Sequence, residues 1–219
     1  MTRSTTGQTP IWCGIHYLLY LRQPGEQEDC ARFSLFQTEY SPAGSGHAAF
    51  LYLDPASLAS APQDAVYTDN PDLAQWLFDY MYRGRDNPLA ACGEPVVTAR
   101  FSRSGDMQRR LTYSIDTAHN QFAATWDGLE PPFVHHGQGA NSSLYTYCFF
   151  VVALHASFTV DGEKLSGAIY DRQDWVPLVG RPLSSCLIAD EFWAELRPCK
   201  EMQSLRRPAA ANHIRSLSA

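Results

Sequence analysis

The sequence predicts an all-β protein: a single antiparallel β-barrel of about eight to ten strands with one or two short helices. Three observations carry this expectation. Segments with period-two alternation recur along most of the chain, separated by short turns rich in Gly, Pro and Asn. Only one segment has strong helical spacing, and no strand–helix–strand alternation builds a parallel sheet. At 219 residues with 45% hydrophobic side chains, the chain can bury one large core, and no linker divides it. We expect a flexible amino terminus over residues 1–10, the barrel over 11–198, and a loose basic tail over 199–219.

The first strand is IWCGIHYLLYLRQ, closed by the turn Pro24-Gly25. Trp12, Gly14, His16 and Leu18 share one of its faces and would line a cavity together if that face is inward. CARFSLFQTEYS answers it, with Phe33 and Leu35 on one face, Gln37 next in that register, and Phe36, Thr38 and Tyr40 on the other. The turn PAGSG feeds HAAFLYLD, which completes a meander.

DNPDLAQWLFDYMYRG predicts a helix near residues 71–83 that packs outside the barrel or lids one end. Asp69 or Asn70 can cap it, Pro71 suits its first turn, and Gly84 can stop it. Leu73, Trp76, Leu77, Tyr80 and Met81 fall on one face, as a helix covering a sheet requires. Strands resume at PVVTARFSRS, MQRRLTYSID and NQFAATWD, joined by turns at Ser104-Gly105-Asp106 and His119-Asn120. GLEPPFVHHGQGANSS reads as a Gly/Pro-rich loop. SLYTYCFFVVALHASFTV and EKLSGAIYD then flank an Asp161-Gly162 hairpin turn. A second helix is expected from Ala189 to Leu196, ending before Pro198.

Composition narrows the function. The net charge of −6, with no basic face, argues against nucleic-acid binding. Nowhere do about eighteen apolar residues run together, so membrane insertion is not expected. The start MTRSTTGQTPIW lacks an apolar signal-like segment, which points to the cytoplasm. Six cysteines without a CxxC pair or ligand spacing are expected to be reduced thiols rather than metal ligands or disulfides. The sequon at Asn141 has no meaning in that compartment. No GxGxxG, GxxxxGK[ST] or GxSxG motif occurs, so no cofactor is expected.

The segment SSLYTYCFFVVALHASFTVDGEKLSGAIYDRQDW resembles the lipocalin-like family of carotenoid 1,2-hydratases, kievitone hydratases and fungal Diels–Alderases. Tyr145 and Tyr147 match a Tyr-rich strand, Asp161-Gly162 a turn, and Gly167, Tyr170 and Asp171 a signature. IWCGIHYLLYL is similar to the family's opening strand through Trp12, and GHAAFLYLDP to its next strand. Trp175 sits one place later than in the signature, and no Gly follows it. The resemblance implies a calycin-type barrel. It also implies a cofactor-independent cyclase, of the Diels–Alderase or pericyclase kind, acting on a largely apolar polyketide or terpenoid-type precursor. A hydratase or isomerase on the same substrate class, or a non-catalytic lipophile-binding protein, are the alternatives. The expected partner is a small hydrophobic molecule. Family members commonly have two such halves, and a homodimer could supply the wall that a single half leaves open.

Within that frame Asp171, Arg172 and His136 are the candidate catalytic groups. A buried Asp171 would have its pKa raised and could move a proton, Arg172 could polarise a carbonyl, and His136, beside Gly137, could act as a base. Asp171 shares a face with Ile169 and Gln173, and Arg172 shares the other with Tyr170 and Asp174, so only one set can line a cavity. His135 and His136 point opposite ways on an extended chain, which disfavours a shared metal. Trp12, His16, Tyr17, Trp126, Tyr145, Tyr147, Gln173 and Trp175 are the candidate substrate contacts, as an aromatic wall with a few placed polar groups.

Overall fold

The computed structural model describes residues 8–54, 64–138 and 144–196. Residues 1–7, the tail 199–219, Cys199 and the sequon at Asn141 lie outside the described residues. Strand β1 (Gln8–Arg22) already begins at residue 8 and pairs antiparallel with β2 (Asp29–Tyr40), which pairs with β3 (Gly46–Leu53). The expected meander is therefore present. It continues into β4 (Ala65–Thr68) and then α1 (Pro71–Met81). The Asn70 side chain accepts from the Leu73 N–H, and Pro71 occupies the first turn, which fixes where the helix starts.

A short 3₁₀ turn at Pro88–Gly93 leads to β5 (Val96–Thr98), β6 (Arg100–Gly105), β7 (Arg110–Asp116), β8 (Gln121–Leu129) and β9 (Phe133–Gln138). Then follow β10 (Leu144–Val160), β11 (Glu163–Lys164), β12 (Asp171–Arg172), α2 (Val176–Val179), β13 (Leu183–Ser184) and β14 (Cys186–Leu196). The main sheet runs β5-β4-β3-β2-β1-β14-β10-β8-β7-β6, with β9 and β11 as further partners of β10. β5 and β6 stand at opposite ends of this order yet are separated only by Ala99, whose N–H donates to the Thr68 carbonyl. One extended stretch thus bonds β4 with its first part and β7 with its second, which nearly closes the barrel.

Three expectations need correction. The sheet is mixed, because β4 and β5 pair in parallel. Residues 189–196 are strand, not helix: β14 is held by β1 on one edge and β10 on the other, and this pairing overrides the helix-favouring Ala, Glu and Leu. The Phe133–Gln138 part of the expected loop is β9, which pairs with β10 in line with β8; Pro131 and Pro132 only interrupt the ladder.

Two apolar layers follow from strand alternation. Inside the barrel, Tyr17, Phe33, Leu35, Trp126, Phe158 and Ile188 pack together. Outside, Leu73, Ala74 and Leu77 of α1 cover Leu18, Phe36 and Phe50. The helix lies outside the barrel, as its single apolar face requires.

Candidate functional site: the barrel mouth

Side chains fill the barrel's centre. Tyr17 lies 5.5 Å from Trp126 between ring centroids and 4.9 Å from Tyr113, while Phe33 lies 5.3 Å from Phe158. Tyr17, Leu35, Trp126 and Phe158 are each 0% exposed. A side chain lining a ligand-sized void would carry accessible surface, so these four line none. The Trp126 indole N–H donates to the Leu18 carbonyl and pins the ring across the barrel. Tyr17 and Trp126 are core pillars here, and the expected cavity at their level is replaced by rings.

The segment LSGAIYDRQDW closes the other end instead of flooring a cavity. Leu165 and Ile169 join the inner core, and Ala168 exchanges backbone hydrogen bonds with Arg22. Gly167 has φ +131°, and a Cβ there would lie 2.8 Å from the Cys30 sulfur, so glycine is required for this closure. Tyr170 and Arg172 turn to the outer layer: Arg22 stacks 3.7 Å over the Tyr170 ring, and Arg172 sits 5.0 Å from Tyr20 and 5.5 Å from Trp175. Asp171 and Gln173 are exposed. The buried setting expected for proton transfer by Asp171 is therefore absent, because its side of the segment faces solvent. These residues line an open, polar outer cleft of about 420 Å³.

Trp12 and His16 share a face as expected, but that face is outward. Trp12 packs on Trp193 and Phe36, and His16 stacks 4.0 Å from Phe36 while meeting the Ser34 hydroxyl at 2.7 Å. Burial, reinforced by the Arg172 charge, pushes the His16 pKa down to about 3, which leaves a neutral structural imidazole.

At the remaining end, the inner face carries polar groups. Register sets Ile15 of β1 opposite Gln37 of β2 and Asp190 of β14, and Gln37 opposite His47 of β3. The Tyr17 hydroxyl donates to Gln37 Oε1 at 3.0 Å, and the Tyr113 hydroxyl donates to the same oxygen at 3.1 Å. The Arg103 guanidinium acts on Tyr17 from β6, opposing the effect of burial on its hydroxyl. His47 Nε2 lies 3.0 Å from the Tyr113 hydroxyl, and its Nδ1 lies 2.7 Å from Asp69 Oδ2. Asp69 Oδ1 also accepts the His47 backbone N–H, and Phe101 stacks on the imidazole at 4.8 Å. Gly46 permits this approach, since a Cβ there would meet Asp69 Oδ1 at 2.6 Å. Burial raises the pKa of Tyr17 and of Tyr113, keeping both as neutral hydroxyl donors. Because both hydroxyls lie on the oxygen side of Gln37, the half-buried amide has its NH₂ left to offer at the rim.

The inner face continues past this rim along β10, β14 and β9. Val151 belongs to the inner core, so Phe149, Tyr147 and Tyr145 lie on the same side. Tyr147 is paired with His136 and Phe149 with Val134. Tyr147, Phe149 and Val134 are 42%, 43% and 47% exposed, an apolar apron beside the mouth. His136 stacks on Tyr147 at 5.8 Å and meets the Tyr145 hydroxyl at 3.0 Å, so it is an exposed part of the apron. His135 points to the opposite side, across from Cys148, as alternation predicts. Asp190 at the apron's edge has its pKa raised by burial and then by Glu39.

The mouth therefore gathers Tyr17 with His136, Tyr145 and Tyr147 on one face of the sheet. It excludes Asp171, Arg172, Gln173, Trp175, Trp12 and His16. Sequence reasoning missed Gln37, His47, Asp69, Arg103 and Tyr113, which come from five separate segments. Only the register of Gln37 with Phe33 and Leu35 hinted at an inward polar group. Among the described residues no His, Cys, Asp and Glu group suits a metal, and no helix is long and apolar enough to cross a membrane. No family model matches the chain, and no curated protein or solved structure matches it either.

Proposed function

We propose that the protein binds a largely apolar, oxygen-bearing small molecule at the barrel mouth and promotes its cofactor-independent cyclisation. The observation that carries this reading is the polar clamp, Gln37 held by Tyr17 and Tyr113, set beside the exposed aromatic apron of Tyr147 and Phe149. The Gln37 NH₂ and the Arg103 guanidinium would donate to a ligand carbonyl, while the apron would hold a flexible hydrocarbon chain in one conformer. Holding the reacting ends together removes much of the entropic barrier, and polarising the carbonyl activates the conjugated alkene. An intramolecular cycloaddition converts π bonds into σ bonds, so no atom is gained or lost and no cofactor is needed. The resemblance to lipocalin-like cyclases and hydratases supports this choice of chemistry, by analogy only. A lipocalin-type classification and a cytoplasmic location belong to the same proposal; the thiols of Cys13, Cys92, Cys148 and Cys186 are in keeping with a reducing compartment.

A second reading is binding without turnover. It is favoured by the burial that keeps the Tyr17 and Tyr113 hydroxyls neutral, making them anchors of Gln37 rather than proton carriers.

The test uses Nile red, a neutral carbonyl-bearing dye, for affinity, and linear polyene ketones for turnover. Replacing both Tyr147 and Phe149 by Ser should weaken dye binding by about tenfold or more, from the apolar area lost. Dye affinity unchanged by this pair and by Gln37→Leu would sink the mouth as the site. A product of unchanged mass but altered chromatographic mobility identifies the cyclase; binding without product identifies the carrier.

A further inference from the structure

The Tyr113 hydroxyl has one proton and two acceptors within reach, Gln37 Oε1 at 3.1 Å and His47 Nε2 at 3.0 Å. His47 Nδ1 faces the Asp69 carboxylate at 2.7 Å, so that nitrogen must carry a proton. Two states of the chain follow from the donor inventory alone. With a neutral His47, Nε2 is a bare acceptor and takes the Tyr113 proton, so Gln37 keeps only Tyr17 as a donor. With a charged His47, Nε2–H donates to the Tyr113 oxygen, and the Tyr113 proton turns to Gln37, which is then held twice.

We propose that the Asp69–His47–Tyr113 chain is a protonation-controlled positioning device that tightens the Gln37 clamp, and hence ligand binding at the mouth, when His47 is charged. Asp69, His47 and Tyr113 are positioning residues, because their effect on the ligand passes through Gln37. This inference rests on the reading of the mouth as a binding site. The groups facing His47 are Asp69 at the end of β4, Tyr113 on β7, and Phe101 and Arg103 on β6, with Gln37 opposite on β2 and Tyr17 beyond it on β1. Among these Asp69 and Arg103 bear charge, and Asp69 makes the direct contact, so the charged ring is compensated where it forms. Phe101 stacked on the ring at 13° fixes its plane, so that the two nitrogens keep their partners when the charge changes.

The test has two independent readouts on the full chain. Ring ¹⁵N NMR of His47, assigned by its loss in His47→Gln, reports the tautomer; the neutral ring should be the Nδ1–H form, and Asp69→Asn should shift the population toward Nε2–H. Nile red affinity, measured across pH alongside the ring ¹⁵N signal that reports the His47 charge, should be about fivefold higher with the charged ring than with the neutral one, the worth of one hydrogen bond. Tyr113→Phe, which removes the relay but leaves Tyr17 on Gln37, should abolish that pH dependence. A neutral ring in the Nε2–H form, or a pH dependence that survives Tyr113→Phe, overturns the proposal. Failure of the mouth as a binding site looks different. There the dye affinity ignores Gln37→Leu while the His47 tautomer still responds to Asp69→Asn.

Discussion

Replacing Gln37 by Leu is the most informative single perturbation of the mouth. Leu keeps most of the volume but removes the oxygen that both tyrosine hydroxyls use. Tyr113 can turn its proton to His47 Nε2, 3.0 Å away, and stays satisfied. Tyr17 cannot compensate: it is 0% exposed, and the Arg103 guanidinium that acts on it carries donors and no acceptor. One buried hydroxyl proton is left without a partner, which costs about 1–3 kcal/mol, so a loss of roughly 2 kcal/mol is expected. With an m of about 2–3 kcal/mol/M in urea, the midpoint should fall by roughly 0.7–1 M. Tyr17→Phe alone removes one hydrogen bond and leaves the Gln37 oxygen within reach of the Tyr113 hydroxyl at 3.1 Å, and should cost about 1 kcal/mol. The double variant Tyr17→Phe with Gln37→Leu should then be more stable than Gln37→Leu alone by about 1 kcal/mol, because the orphaned group is gone. A midpoint for Gln37→Leu within about 0.2 M of the parent, or a further loss on adding Tyr17→Phe, refutes the clamp.

Other outcomes follow from the same reasoning. Glu191 is buried, accepts the Trp193 indole N–H at 2.7 Å, and has its pKa raised to about 7, chiefly by burial. Its folded-state value lies above the unfolded one near 4.5, so stability should fall as pH rises from about 4.5 to about 7. Glu191→Gln should flatten that slope in urea titrations and gain stability above about pH 7; an unchanged slope would exclude Glu191 as its source. Asp171→Asn, on the exposed outer side of its segment, should leave dye binding and any turnover unaltered, and a loss of about tenfold or more in either would return Asp171 to the site. Arg172→Ala should cost about 1–2 kcal/mol through lost stacking on Tyr20 and Trp175, again without effect at the mouth. Phe158→Ala should destabilise by about 3–5 kcal/mol, since its ring packs on Phe33 and Phe122 in the filled interior. A cost below about 1.5 kcal/mol would mean that the barrel centre is not close-packed.

Much of the architecture was legible in the chain itself. Asn70, Pro71 and the spacing of Leu73 and Leu77 fix α1 locally, because capping and a single apolar stripe are properties of adjacent residues. Period-two alternation likewise put Trp12 with His16, and Phe33 with Leu35, on shared faces. Which of those faces is inward was not legible. Alternation defines two sides but does not name them, and the aromatic-rich side of β1 with Trp12 proved to be the one under α1. Local preference also misled where partners came from afar: β14 is a strand because β1 and β10 bond both its edges, and β9 because β10 lies beside it.

The candidate site shows the same division more sharply. A contiguous polar run such as Asp171 to Trp175 draws attention in a sequence, yet it folds onto the outer layer and closes one barrel end. The clamp at the mouth has no contiguous signature: Tyr17, Gln37, His47, Asp69, Arg103 and Tyr113 are spread over β1, β2, β3, the end of β4, β6 and β7. Neighbours along a chain set caps, turns and alternation, and the sequence alone determined these. Strand order and register bring distant residues within hydrogen-bonding distance, and only the tertiary structure decided that Gln37 would be held between two tyrosines.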